Sequence, residues 1–190
     1  MKKLDRAIII VSRIVEVFLW VGCGLSIIIT ILFATGKLNL VRYFTSATPE
    51  TPILTSYGFT LNTLDAAGKP MIGAFVLFFI TLVITFALMA LCARNVYLIF
   101  KTSQGLTAFS KGKTPFQEDN IRMVREIGIF MIAIPVVQFI MSAIATLALG
   151  PDAVESGVNL GGVFVGLVVL ALSRYFAYGM QLQNDVDGLV

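Results

Sequence analysis

Four long apolar runs dominate this chain, at about residues 7–34, 70–100, 115–149 and 157–180. Each reaches or exceeds the roughly 20 residues that a helix needs to cross the hydrocarbon core of a bilayer. Backbone N–H and C=O groups in hydrocarbon must bond to one another, which leaves the helix as the form such runs adopt. The sequence therefore predicts a single all-α domain, residues 1–190, built as an integral membrane four-helix bundle. Composition agrees: 57% of the residues are hydrophobic and 13% are charged, against about 25% charged in a soluble domain.

The first run follows a charged start, Met1-Lys2-Lys3-Leu4-Asp5-Arg6, which resembles the head of a secretory signal. Arg13 and Glu16 interrupt the run, and no small-residue cleavage site closes it, so an uncleaved helix is expected. Between the first two runs lies the longest polar segment, 35–69. Its β-prone stretch Ile53-Leu54-Thr55-Ser56-Tyr57 suggests a short hairpin with Tyr57-Gly58 near the turn. The second run ends in the aromatic and basic mixture Arg94 to Lys101, typical of a membrane interface.

A loop, 101–114, leads to the strongest helix-start signal in the chain. Thr114-Pro115-Phe116-Gln117 predicts a Thr cap, Pro in the first helical position and Gln three residues after the cap. Glu118 and Asp119 then suit the helix dipole. Pro135 falls mid-span, where it is expected to kink the helix. A short acidic loop, 150–156, precedes the fourth run, and a polar tail, 181–190, ends the chain.

Orientation follows from the basic residues. Four crossings put Lys2, Lys3, Arg6, Lys101, Lys111, Lys113, Arg122 and Arg125 on one side, and Lys37, Arg42 and Lys69 on the other. The richer side faces the cytoplasm. Both termini and the 101–114 loop are therefore expected inside the cell, and segment 35–69 outside.

Several function classes are excluded or disfavoured by composition. Histidine is absent, which removes imidazole acid–base chemistry, haem ligation by His and most zinc sites. The formal charge of +3 is too small and scattered for direct nucleic-acid binding. Cys23 and Cys92 sit at different depths in apolar runs and read as packing residues. Gly112-Lys113-Thr114 superficially resembles a phosphate loop, but position 107 is Thr and a membrane helix precedes it. No catalytic, cofactor-binding or metal-ligating constellation emerges, so the sequence points away from an enzyme and requires no cofactor.

Three groups of residues remain as candidates. Arg13, Glu16, Arg94 and Arg174 lie inside the spans, all toward the cytoplasmic end. An ionisable group in hydrocarbon pairs, faces a wet interior or snorkels to the head groups. They are expected to form a charged inner layer in which Glu16 pairs with Arg13, Arg94 or Arg174, while snorkelling remains open for the arginines. Gly157, Gly161, Gly162 and Gly166 form two small-xxx-small steps that permit close helix contact, serving the monomer or a homo-oligomer; Gly22 and Ser26 offer the same on the first helix. Lys101, Lys111, Lys113, Phe116, Arg122 and Arg125 combine charge with apolar anchors, suiting anionic lipid head groups or a cytosolic protein.

The segment Thr114 to Gly128, TPFQEDNIRMVREIG, resembles the P-F-x-x-x-N-x-x-x-(L/V)-R-x-I-G signature of a bacterial membrane family, domain of unknown function family 2975. Phe176 to Asp187, FAYGMQLQNDVD, is similar to that family's F-x-x-G-x-x-L-Q-x-x-x-D tail. The resemblance implies a small four-helix protein of the bacterial cytoplasmic membrane, often encoded beside a small helix-turn-helix regulator. It carries no established activity. It does imply a membrane anchor for a cytosolic or membrane partner such as that regulator; a small transporter or channel subunit built on the charged layer is the alternative. Many members have acidic residues where this chain has Gln183-Asn184-Asp185, so a docking tail would carry less charge here.

Reporter fusions test the orientation. Fusions after Lys111 and Val190 are expected to report cytoplasm, and fusions near Thr55 and Asp152 the outside. A periplasmic signal at Lys111 would overturn the assignment.

Overall fold

The computed structural model describes residues 3–35, 53–65, 68–108, 110, 114–156 and 160–188. The fold is all-α, with four long helices: α1 (Lys3–Ala34), α2 (Ile72–Ser103), α3 (Glu118–Leu149) and α4 (Leu160–Asp187). Between them lie strands β1 (Ile53–Ser56), β2 (Phe59–Asn62) and β3 (Val154–Ser156), with a 3-10 turn at Pro151–Ala153. Each helix is long and apolar enough to cross a membrane, and the chain is a multi-pass membrane protein. At 32 residues, α1, α2 and α3 each extend about 48 Å, well beyond a hydrocarbon core of about 30 Å. Exposed apolar side chains, such as Phe18 and Ile28 on α1, Phe139 on α3 and Phe164 on α4, line the outward faces, as contact with lipid tails requires.

Several helix ends differ from expectation: the second helix spans Ile72–Ser103 rather than 70–100, and the fourth begins at Leu160 rather than near 157. The first helix begins at Lys3, four residues early. The third begins at Glu118 rather than near Pro115, because side chains occupy the carbonyls that an earlier start would need (below). The fourth continues to Asp187, so the expected polar tail is mostly helix. Helix α3 runs unbroken through Pro135.

The chain forms two compact units. The first comprises Met1–Leu19, Leu88–Ala133 and Gly161–Val190; the second comprises Trp20–Ala87 and Ile134–Leu160. In α3 the change from one to the other falls beside Pro135, whose missing N–H leaves one carbonyl of the preceding turn without its helical donor.

The second unit is organised by phenylalanine. Phe33 stacks on Phe75 with centroids 4.8 Å apart and on Phe79 at 5.8 Å. Phe78 meets Phe79 edge-on at 5.6 Å and stacks with Phe59 at 6.4 Å. The expected hairpin is present. Ser56 pairs with Phe59, leaving the two-residue loop Tyr57-Gly58, and both loop residues have positive φ, 53° and 100°. That backbone belongs to the tight turn whose twist matches paired strands. The acidic segment 150–156, expected as a loop, instead supplies β3, which pairs antiparallel with β2 in the order β1-β2-β3. Alternation along β2 buries Phe59 and Leu61 in the phenylalanine core, and Asn62 donates to the Asp152 carbonyl at 2.7 Å. On α1, Gly22 lies under the ring of Phe86, and Ser26 is buried beside it.

In the first unit, α3 and α4 touch through glycine. A Cβ on Gly166 would lie 2.5 Å from Ile132 Cγ1 and 2.8 Å from the Gly128 carbonyl oxygen. A Cβ on Gly128 would lie 2.7 Å from Leu170 and 3.0 Å from the Gly166 oxygen. The expected close contact therefore exists, and Gly128 is its counterpart. Gly162 is buried in line with Gly166, whereas Gly161 is exposed. Gly157 lies outside the described residues.

Because the Gly128 oxygen and the Ile132 nitrogen, both backbone, lie 2.8 and 3.1 Å from a Cβ on Gly166, moving the Ile132 side chain alone makes no room for Gly166→Ala. It is expected to destabilise the protein by about 1–3 kcal/mol, read as a lower melting temperature in detergent. Gly24→Ala meets nothing within 4 Å and is expected to leave stability unchanged or raise it by up to about 1 kcal/mol. Equal melting temperatures for the two variants would contradict the crossing.

Candidate functional site

Polar side chains gather in the first unit where α2 ends and α3 begins. Gly105, with φ of 72°, ends α2. Its N–H bonds the Thr102 carbonyl and the Leu106 N–H reaches back to the Lys101 carbonyl, both at 3.0 Å. This paired bonding closes a helix with a left-handed glycine. The connection then folds back on the helix end. Ser110 donates to the Thr102 carbonyl at 2.9 Å, and Thr107 donates to the Thr102 hydroxyl at 3.1 Å.

The start of α3 departs from the expected capping box. Ile121 N–H bonds the Gln117 carbonyl, which makes Gln117 the residue that caps the helix. The Gln117 amide donates to the Thr114 carbonyl at 2.7 Å, and the fully buried Asn120 donates to the Pro115 carbonyl at 2.9 Å. Thr114 accepts from the Phe116 N–H at 3.2 Å. Asn120 also donates to Ser103 Oγ at 3.0 Å, tying the two helices together.

The same connection is latched to the end of α4. Thr114 donates to Gln183 Oε1 at 2.8 Å, and Phe116 lies against Phe176 with centroids 5.8 Å apart. Beneath Phe116 is Gly179, where a Cβ would come within 2.6 Å of the ring. The two segments that carry the family resemblance thus meet, Phe116 with Phe176 and Gly179.

Of the intramembrane charges, the structure brings together two. Arg13 binds Glu16 at 2.7 Å on the same helix, with the Glu16 side chain 7% exposed and that of Arg13 56% exposed. The Arg13 guanidinium carbon sits 5.4 Å from the Tyr97 ring centre, and Lys101 approaches the same ring at 5.2 Å while donating to its hydroxyl at 3.1 Å. Arg94 and Arg174 are exposed and form no ion pair among the described residues. The charged layer therefore resolves into one local pair and two outward arginines. Glu16's partner is Arg13, because three residues of helix place the two on one face, while Arg94 and Arg174 point toward the surroundings.

Other polar residues were not singled out by the sequence. Asn95, 7% exposed, donates to Glu126 Oε2 at 3.0 Å, and Glu126 in turn pairs with Arg122 at 3.4 Å. A cleft of about 210 Å³ beside them is lined by Arg94, Asn95, Asp119, Arg122 and Glu126 among others. The available signal was an amide within an apolar run, which in hydrocarbon demands a partner. Arg125 is exposed. Lys111 and Lys113 lie outside the described residues.

Architecture and site together define a small multi-pass, all-α membrane protein with a cross-braced polar junction. No family model, curated protein or solved structure matches the chain.

The asymmetry of the Arg13–Glu16 pair gives an ordered expectation. Arg13→Gln strands a buried carboxylate, whereas Glu16→Gln frees a guanidinium that is already exposed. Melting in detergent should therefore place Arg13→Gln below Glu16→Gln, with the double variant recovering most of the loss. If Arg13→Gln melts with the wild type, Glu16 does not depend on its partner.

Proposed function

We propose that this chain is a non-enzymatic protein of the bacterial cytoplasmic membrane that anchors a cytosolic partner. Both termini and the 104–117 connection would face the cytoplasm, following the basic-residue bias. The observation that carries this reading is the far end of α4. About 20 residues from Leu160 suffice to cross the hydrocarbon, yet the helix continues to Asp187. On that extension Leu182 and Val186 are 49% and 61% exposed, and their four-residue spacing puts them on one face. Apolar side chains held on a helix beyond the bilayer suit a protein surface better than water.

The junction supports the reading by making this end rigid. Phe116, Gly179 and Gln183 fix the connection against α4, so a partner would meet a preformed surface. Leu106, 54% exposed, lies on the same connection. The partner class comes from the resemblance to domain of unknown function family 2975: a small helix-turn-helix regulator held at the membrane. Transport draws less support, since Glu16, the carboxylate such a path would use, is bonded to Arg13.

Site-specific photo-crosslinking in cells tests this. A crosslinker at Leu182 is expected to trap a discrete cytosolic protein, and one at Leu147, also strongly exposed, is not. Absence of an adduct at Leu182, or the same adducts at both positions, would overturn the proposal.

A further inference from the structure

The cleft of about 210 Å³ between α2 and α3 has no part in the partner reading. Its lining comes from one face of each helix. Leu91 and Arg94 follow at a three-residue step on α2, and Asp119, Arg122, Glu126 and Phe130 at three- and four-residue steps on α3, spacings that bring side chains into one stripe. Both guanidinium-bearing side chains at this cleft are accessible: Arg94 is exposed, and the Arg122 side chain is 70% exposed. We propose that the cleft is a binding site for one phospholipid, whose phosphodiester is held by Arg94 and Arg122.

Depth makes a lipid the ligand. Arg94 lies nine residues before the end of α2 at Ser103, about 14 Å along the axis. A helix of about 48 Å centred on a hydrocarbon core of about 30 Å overshoots it by about 9 Å at each end. The Arg94 backbone is therefore inside the hydrocarbon, and its long side chain reaches back to the head-group boundary. A guanidinium there needs an anion, yet Arg94 forms no ion pair among the described residues. Arg122 is four residues into α3, about 6 Å from its start. The lining is graded as a phospholipid is. Asp119 lies in the first turn of α3, Arg122 and Arg94 lie deeper, and the apolar Leu91 and Phe130 lie deepest, each twelve residues from the helix end. Acyl chains leaving a phosphate held by the two arginines run on over Leu91 and Phe130.

Charge selects a diester over a free phosphate. Glu126 is already engaged: Oε1 lies 3.4 Å from Arg122 Nε, and Oε2 accepts from Asn95 at 3.0 Å. The two terminal nitrogens of Arg122 remain, and with Arg94 they offer the forked donors that phosphate oxygens accept. Two carboxylates at the same cleft oppose a second negative charge, which a free phosphate largely carries at neutral pH and a diester lacks. Asp119 makes no ion pair among the described residues. It is level with the head group beyond the phosphate, where its oxygens accept from a hydroxyl or an ammonium. The inference needs only that the helices cross the bilayer, so it stands apart from the partner reading.

The test uses the full chain, purified in a mild non-ionic detergent, stripped of lipid and titrated by native mass spectrometry. Dioleoylphosphatidylglycerol is compared with dioleoylglycerol, which has the same chains and no phosphate. Arg94→Gln and Arg122→Gln should each weaken phosphatidylglycerol binding about tenfold, the scale of one charge-assisted hydrogen bond. With both arginines present, the wild type is expected to prefer it to dioleoylglycerol by about a hundredfold. Arg174→Gln is the control: Arg174 is exposed too but lies outside this cleft, and binding should be unchanged. Equal losses for Arg94→Gln and Arg174→Gln would mean that surface charge gathers lipid without a site, and would overturn the proposal. Undiminished binding by Arg94→Gln overturns it as well. Should a variant fail to fold, the wild type alone decides, because equal affinity for the two lipids overturns the proposal. Displacement of the lipid by an equal concentration of inorganic phosphate would assign the cleft to a soluble anion and overturn the lipid assignment.

Discussion

Hydrocarbon supplies no hydrogen-bond partner, so a polar group carried into it must be satisfied by the chain itself. The hydroxyls of this protein show the cheapest solution. Ser26, Thr30, Thr81 and Thr146 each donate to the carbonyl four residues earlier in their own helix, at 2.7–2.9 Å. Larger polar groups need a neighbour. Asn95 reaches Glu126 on α3, and Glu16 takes Arg13 one turn away. Gln104 and Gln138 are exceptions: their buried side-chain amides have no partner among the described residues.

That requirement explains why the first unit is braced by side chains at the helix ends. Where α2 stops and α3 starts, helical bonding runs out and several carbonyls need new donors. Ser110, Gln117 and Asn120 supply them, and in doing so fix the course of the intervening connection. Phe116 then fills the space that Gly179 leaves open. Polar bonding and apolar packing are one arrangement here, since the bonds that satisfy the Thr114 and Pro115 carbonyls also aim the Phe116 ring. The Gly128–Gly166 crossing adds backbone proximity in place of side-chain burial, consistent with α3–α4 association inside a solvent as apolar as the helices themselves.

Much of this was legible in the sequence because the strongest signals were physical necessities. Run length fixed four helices, and Tyr57-Gly58 between β-prone residues announced the hairpin. Glycine spacing led to Gly166 and its buried neighbour Gly162. What the sequence concealed depends on contacts between distant residues. Val154–Ser156 looks like loop, and becomes a strand only because β2 offers it an edge. Gln117 reads as part of a capping box until Asn120 captures the Pro115 carbonyl. For Glu16, three arginines were equally good partners by residue type; the three-residue spacing already put Arg13 on its face of the helix, and the structure leaves Arg94 and Arg174 exposed. The end of α4 was misplaced for a simpler reason: polarity marks where a helix leaves the membrane, and not where it stops being helical.

The three-stranded sheet has a consequence for how this protein is made. Strands β1 and β2 come from the connection between the first two helices, and β3 from the connection between the last two. A chain threaded into a membrane from its N-terminus delivers the hairpin long before its third strand. Pairing is possible only if both connections arrive on the same face of the bilayer. Were the last two helices to insert upside down, β3 would emerge on the opposite side, and the open edge of β2 would find nothing to bind. The sheet therefore serves as a record of correct threading, completed only when the final pair of helices has crossed in the right sense.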